Sequence, residues 1–171
     1  MVMNLPSDPR PVFHAVAVTV GCALLIRAAW CDLVRRSIPN SLPALLFSVG
    51  LAIRVGAGDW RAGGWAAAAI FGAGCALWSL RLIGGGDVKL LAAAAIFVAP
   101  AQIFRLLVLM SLVGGALAVA YLLLRAVPLA AERPRRRLSR LVAIEHRRIV
   151  RRGPLPYAVA IAGAALAIVI H

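Results

Sequence analysis

Long apolar segments are the feature that most constrains how this 171-residue chain can fold. Hydrophobic residues make up 63% of the sequence, whereas soluble domains contain about 45–50% apolar residues. A helix that crosses a bilayer needs about 20 mostly apolar residues, because no water is available there to bond exposed backbone groups. The sequence therefore predicts an all-α integral membrane protein, with residues 1–171 forming a single membrane-embedded domain.

Six apolar segments predict a bundle of about six transmembrane helices. They occupy residues 12–30, 42–57, 64–83, 88–100, 103–124 and 155–170. The first is expected to be retained as a span, since no basic stretch directly precedes it and no small-residue cleavage site follows it. The fourth would cover only about 20 Å, which is less than the hydrocarbon thickness. We expect it to extend past Pro100, to thin the bilayer locally or to be re-entrant.

Basic residues are concentrated in the loop of residues 125–153, which holds ten of the 19 Lys and Arg residues. If all six segments cross and the N-terminus is outside, fourteen basic residues face the inside and four the outside. Cytoplasmic loops carry such an excess, so we expect this loop to be cytoplasmic and to bind anionic lipids. A basic cluster beside membrane spans is typical of such loops, and nucleic-acid binding is therefore not expected. This orientation depends on the fourth segment crossing.

Two of the six acidic residues, Asp32 and Asp87, lie where an apolar segment ends or begins. Ionisable groups at membrane depth are costly and are often functional. A simpler interpretation is that both are interfacial acids that pair with nearby basic residues. The other four are expected to be solvated or salt-bridged surface acids; they are Asp8, Asp59, Glu132 and Glu145.

The chain crosses the membrane twice between Asp32 and Asp87, so both acids face the same side in either orientation. Two carboxylates that lie close together cannot easily both ionise, and the pair would share a proton near neutral pH. One member could then take a proton from a water that attacks a peptide carbonyl, while the other protonates the leaving amine. Such chemistry needs no metal and no cofactor, and none is expected.

The residues beside the two acids favour interruptions of helical structure. Three glycines precede Asp87, and they allow positive φ and leave space for an extended substrate, although a plain helix break would also explain them. Pro39 disfavours helix at Ile38. Either Asn40 or Ser41 can cap the second span.

Three motifs in order make the sequence similar to the type IV prepilin peptidases, which are membrane aspartic proteases with a G-x-G-D motif. The matching positions are Asp32, Ile38, Pro39 and Asn40 in D-x5-I-P-N; Gly84, Gly86, Asp87 and Lys89 in G-x-G-D-x-K-L; and Pro156 and Tyr157 in P-Y-x-x-A-I. The resemblance extends over residues 12–170.

The resemblance implies that Asp32 and Asp87 form the catalytic pair, at the cytoplasmic face of the bacterial inner membrane. The other motif residues would support them. The substrate would be a prepilin, with a short basic leader and a hydrophobic helix, cut at their boundary and typically after a glycine. The short form resembles the peptidases of Flp-type (tight-adherence) pili. Longer members carry an N-terminal cysteine-containing domain that has no match here, so N-methylation of the new pilin terminus is not expected.

Two other functions fit the composition. A transporter or channel subunit could use Asp32 and Asp87 as a proton or cation relay, although a relay more often places a charge at mid-membrane than near one face. A non-catalytic pilus-assembly protein could hold anionic lipid through its basic loop.

Overall fold

The computed structural model describes residues 10–126 and 155–170, and these residues form six α-helices. The helices are α1 (Arg10–Arg35), α2 (Ser41–Ala57), α3 (Trp60–Ser79), α4 (Gly85–Phe97), α5 (Ile103–Ala126) and α6 (Tyr157–Ile170), with a 3-10 turn at Pro100–Gln102. The described ranges contain no strand, and the prediction of an all-α fold is confirmed. The predicted basic loop from residue 127 onward lies outside the described residues, as do Asp8, Glu132 and Glu145.

Within the described residues, three helices are long and apolar enough to cross a membrane, namely α1, α3 and α5 with the turn before it. Helices α2 and α6 are apolar but shorter. Many large apolar side chains lie on the outer surface of the bundle, and Trp65 and Phe104 are each 78% exposed. Soluble monomers rarely expose apolar surface this extensively, so this surface is one that contacts lipid.

Helix α4 lies at the centre of the bundle, where it packs against α2, α3 and α6. Most of its side chains are buried, including Val88, Leu90 and every residue from Ala92 to Phe97, whereas Lys89 is exposed. The part of α4 that follows Lys89 is apolar all round, and such a segment is expected to be buried. Because α4 ends at Phe97, the structure excludes one of the three alternatives for this segment, the extension past Pro100. Its neighbours shield this 13-residue helix, so its length need not match the thickness of the bilayer.

Glycines bring the backbones of α2 and α3 close to α4. A Cβ atom on Gly50 of α2 would lie 2.8 Å from backbone atoms of Phe97, and one on Gly74 of α3 would lie 2.7 Å from Val88 Cγ1. Small residues allow this close approach, which drives helix association in lipid. The second inner helix, α6, contacts α1, α4 and α5 through a largely alanine surface.

Candidate active site

The two predicted acids lie at the same end of the bundle. Asp32 is in the last turn of α1, and Asp87 is in the first turn of α4, before the apolar residues of that helix. Helices α2 and α3 carry the chain to the far end and back between them. The two side chains are close enough for the negative charge of Asp32 to raise the pKa of Asp87. The structure therefore brings both carboxylates into one site.

Asp32 is buried and is held by the start of α6. The residue is only 8% exposed, and its Oδ2 accepts a hydrogen bond from the Ala158 backbone N–H at 3.1 Å. The first N–H groups of a helix have no partner within that helix, so Asp32 supplies one of the missing acceptors. Pro156, the residue before α6, is fully buried, whereas Tyr157 is 38% exposed. The P-Y-x-x-A-I motif is thus the segment that meets Asp32.

Asp87 is half-buried, and its pKa is raised to about 6. The largest cause is burial, which disfavours the charged carboxylate, and the second is the negative charge of Asp32. A hydrogen bond with the Gly84 backbone acts in the opposite direction. Asp87 therefore holds its proton to a higher pH than an ordinary aspartic acid does.

The first two sequence motifs are in direct contact. Lys89 Nζ donates a hydrogen bond to Asn40 Oδ1 at 3.0 Å, and a Cβ atom on Gly86 would lie 3.6 Å from the Ile38 side chain. Asn40 occupies the N-cap position of α2 but makes no capping bond with its side chain. Of the two candidate capping residues, Asn40 therefore does not cap α2 with its side chain, and its amide oxygen accepts the bond from Lys89. Pro39 is exposed in the turn before α2.

The three glycines before Asp87 leave space beside the backbone, but their backbone does not adopt positive φ angles. Gly84 has φ −76°, and none of the three is among the described residues with positive φ. The expectation of positive φ here is wrong; Arg36 and Arg81 have it instead, at 54° and 59°. A Cβ atom on Gly84 would lie 2.9 Å from Asp87 Oδ2. Any side chain at that position would have to displace the carboxyl group.

Two contacts near the acids were not predicted from the sequence. One is the hydrogen bond from the Ala158 backbone N–H to Asp32. Almost every residue has such a backbone group, so the residue type does not indicate this bond. The other is a hydrogen bond from Arg36 Nη2 to the hydroxyl group of Tyr121 at 3.1 Å, which joins the end of α1 to α5. Arg36 could not be distinguished from the other arginines by its sequence position alone.

Asp59 lies at the opposite end of the bundle, between α2 and α3. Its Oδ2 forms an ion pair with Arg54 Nη1 at 2.9 Å, and its side chain is 37% exposed. The prediction that it is a salt-bridged surface acid is confirmed.

An apolar groove of about 390 Å³ lies on another face of α4. Helices α2 and α3 form its walls, and Lys89, Ala92 and Ala93 lie on its α4 side. Residues 87 and 89 are about 200° apart around a helix, at 3.6 residues per turn. The groove is consequently on the side of α4 that faces away from Asp87, and neither acid lines it.

The Lys89–Asn40 bond is expected to stabilise the contact between α4 and α2. Lys89→Met and Asn40→Ala should each lower the free energy of unfolding by about 0.5–1 kcal/mol, the usual net worth of one hydrogen bond. Because both remove the same bond, the double variant should lose little more than either single variant. Thermal unfolding in detergent measures this, and fully additive losses would show that the two residues act separately.

One comparison with known proteins gives a match. Residues 19–119 match the family described as the type IV leader peptidase family. This range contains both acids and both of the motifs that surround them. No curated protein and no solved structure gives a significant match.

Proposed function

Because this chain belongs to the type IV leader peptidase family, as the match over more than half of its length shows, we propose that it is a membrane aspartic endopeptidase with Asp32 and Asp87 as its catalytic pair. The membership confirms the family that the three sequence motifs indicated. The observation that supports the proposal is that two carboxyl groups lie at one end of the bundle, close enough for the charge of Asp32 to raise the pKa of Asp87. A pair of this kind holds one proton while the other member is ionised.

The proposed reaction is hydrolysis of one peptide bond by a water molecule. The ionised carboxylate accepts a proton from the water, and the water oxygen attacks the carbonyl carbon of the substrate. The protonated carboxyl group donates a hydrogen bond to the carbonyl oxygen and stabilises the charge that develops there. The C–N bond then breaks, and the departing amine takes a proton from the acid. The mechanism uses neither a metal nor a cofactor.

The proposed substrate is a prepilin of the Flp type, cut between its basic leader and its apolar helix. An apolar helix of about 20 residues would insert into the same bilayer as the enzyme, which places its first residue near the membrane surface. Asp87 precedes the apolar residues of α4, so it lies where such a boundary would arrive. This depth supports the proposed substrate class.

The proposed location is the bacterial inner membrane, with six crossings and the active site at the cytoplasmic face. The support is the distribution of charge, because basic residues accumulate on the cytoplasmic side. Arg35, Arg36 and Arg81 are close in sequence to the two acids. The basic loop of residues 125–153 would lie on the same side. Its positive charge would attract anionic lipids and repel a basic leader, so we propose that the loop binds lipid and not the substrate.

Co-expression with a test precursor examines the function. The precursor carries a short basic leader, a boundary glycine and an apolar helix of about 20 residues, and the host lacks a peptidase of this family. We expect a smaller product whose N-terminus is the residue after the glycine, as read by mass spectrometry. Uncut precursor beside a well-inserted enzyme would count against the proposal.

Cleavage is expected to slow as the pH rises through about 6, the value to which the pKa of Asp87 is raised. A carboxyl group is protonated below its pKa and ionised above it, and the proposed pair must hold one proton. Well above that value, each further pH unit should lower the rate about tenfold. Initial rates across this pH range measure the effect, with tryptophan fluorescence as a check that the fold persists. A rate that does not change with pH would contradict the proposal that the pair must hold a proton.

A further inference from the structure

We propose that the apolar groove between α2 and α3 binds one acyl chain of an anionic phospholipid, whose headgroup phosphate is held by Lys89. This site is separate from the proposed catalytic pair, since neither acid lines the groove. It is also distinct from the basic loop of residues 125–153, whose proposed binding of lipid rests on charge alone. The inference does not depend on the proposed function.

The groove forms because α2 and α3 both pack on α4 and touch each other only weakly. Ala92 and Ala93 of α4 are buried at its base, whereas Phe47 of α2 and Phe71 of α3 are exposed on its walls. The groove therefore opens toward the outer surface of the bundle, which contacts lipid. Lipid tails are as apolar as leucine side chains, so a tail can fill this space without burying a polar group.

Lys89 places a positive charge at one end of the groove. This is the end where α2 and α4 begin, and Lys89 follows Asp87 by two residues. Among the described residues that line the groove, Lys89 is the one that carries a charge. Its side chain is exposed, and a positive charge at headgroup depth attracts anionic lipids. The groove thus combines an apolar channel with a cation at the membrane surface, which is complementary to an anionic phospholipid.

The contacts of Lys89 fix its ammonium group and leave it able to bind an anion. An ammonium group has three N–H donors, and the bond to Asn40 Oδ1 at 3.0 Å uses one of them. Lys89 can therefore hold a phosphate oxygen at the same time. Asn40 is also the residue at the start of α2. The start of a helix carries a partial positive charge, which adds to the attraction for an anion beside Lys89.

The groove is too small for the apolar helix of a protein substrate. A helix with its side chains is about 10–12 Å across, so the groove volume of about 390 Å³ equals only about 3–5 Å of helix length. A single hydrocarbon chain is much narrower. The groove also lies on the side of α4 that faces away from Asp87, so a helix docked there would not bring its boundary to the proposed catalytic pair. Size and position both favour a lipid chain.

Native mass spectrometry of the full chain in detergent, with equal amounts of phosphatidylglycerol and phosphatidylcholine, tests the role of Lys89. We expect the wild type to retain the anionic lipid in preference. Lys89→Met should lower this preference about fivefold, the effect of one basic residue near a membrane surface. Arg35→Met is the matched control, because it removes an exposed cation that follows α1 at the same end but does not line the groove. It should change the preference little.

Filling the groove tests the site of the acyl chain. Ala68 is exposed on α3 and lines the groove, so Ala68→Phe should remove one bound lipid. Ala69→Phe adds the same ring at the next residue, which is exposed but outside the groove, and it should retain that lipid. Ala44→Phe fills the groove from α2 and keeps the test decisive if Ala68→Phe fails to fold.

Two results would overturn the proposal. Full retention of lipid by Ala68→Phe and Ala44→Phe would show that the groove holds no acyl chain, and a raised KM for the test precursor in these variants would then indicate a substrate helix there. An equal loss of preference in Lys89→Met and Arg35→Met would show that Lys89 does not hold the headgroup. Both measurements are independent of leader removal, so either result would leave the proposed function intact.

Discussion

Asp32→Asn and Asp87→Asn are each expected to stop leader removal, with a loss of at least about a thousandfold in the cleavage rate. Asparagine keeps the size of the side chain but cannot take a proton from water or donate a carboxylic proton. Each variant therefore removes one carboxyl group of the proposed catalytic pair with little change in packing. The measurement is the rate at which purified variants in detergent cut the test precursor.

Asp59→Asn is the matched control for these two variants. It makes the same chemical change at the other end of the bundle, where Asp59 pairs with Arg54 at 2.9 Å. Partly exposed ion pairs contribute about 0–1 kcal/mol to the free energy of unfolding, so this variant should stay folded. Because Asp59 is far from the two acids, the cleavage rate should stay close to that of the wild type. Size-exclusion profiles establish that all three variants are folded. Near-normal cleavage by Asp32→Asn or Asp87→Asn would show that the pair is not catalytic.

Gly50→Leu is expected to have the largest effect on stability, with a loss of about 3 kcal/mol or more from forced overpacking. The added Cβ alone would lie 2.8 Å from the N and Cα atoms of Phe97, and backbone atoms cannot move aside as a side chain can. Helices α2 and α4 would have to separate. Asp87 is on α4, so cleavage should decline as well. Thermal unfolding in detergent measures the loss.

Gly56→Leu provides the control within the same helix. A Cβ atom on Gly56 would meet nothing within 4 Å, and leucine favours helix by about 0.5–1 kcal/mol over glycine. This variant should be as stable as the wild type or more stable. Equal unfolding temperatures for Gly50→Leu and Gly56→Leu would show that the close approach of α2 to α4 is not important for stability.

Apolar segment length predicted the helices well, because the bilayer itself requires that length. The predicted segment 103–124 corresponds to α5 at Ile103–Ala126. Helix ends were less predictable, and α3 ends at Ser79 although the apolar residues continue to residue 83. The central place of α4 could not be read from the sequence, since it depends on glycines such as Gly50 meeting particular residues across the bundle.

The candidate acids were identifiable because a charge at the end of an apolar segment is unusual and an even number of crossings separates them. Their surroundings were not. The partner of Asn40 is Lys89, 49 residues away, and the donor to Asp32 is a backbone group 126 residues away. Glycine permits both positive φ and close contact. The sequence alone therefore could not show that Gly84 is needed for its close contact with Asp87 and not for a positive φ.

The most direct test of the central claim is a reaction with two purified components. The wild-type chain is reconstituted in vesicles with the test precursor, and the products are weighed by mass spectrometry. The account predicts two fragments whose masses sum to the precursor plus one water, with the cut after the boundary glycine, and no fragments with Asp87→Asn. Intact precursor after incubation with the folded wild-type protein, or equal cleavage by Asp87→Asn, would contradict it.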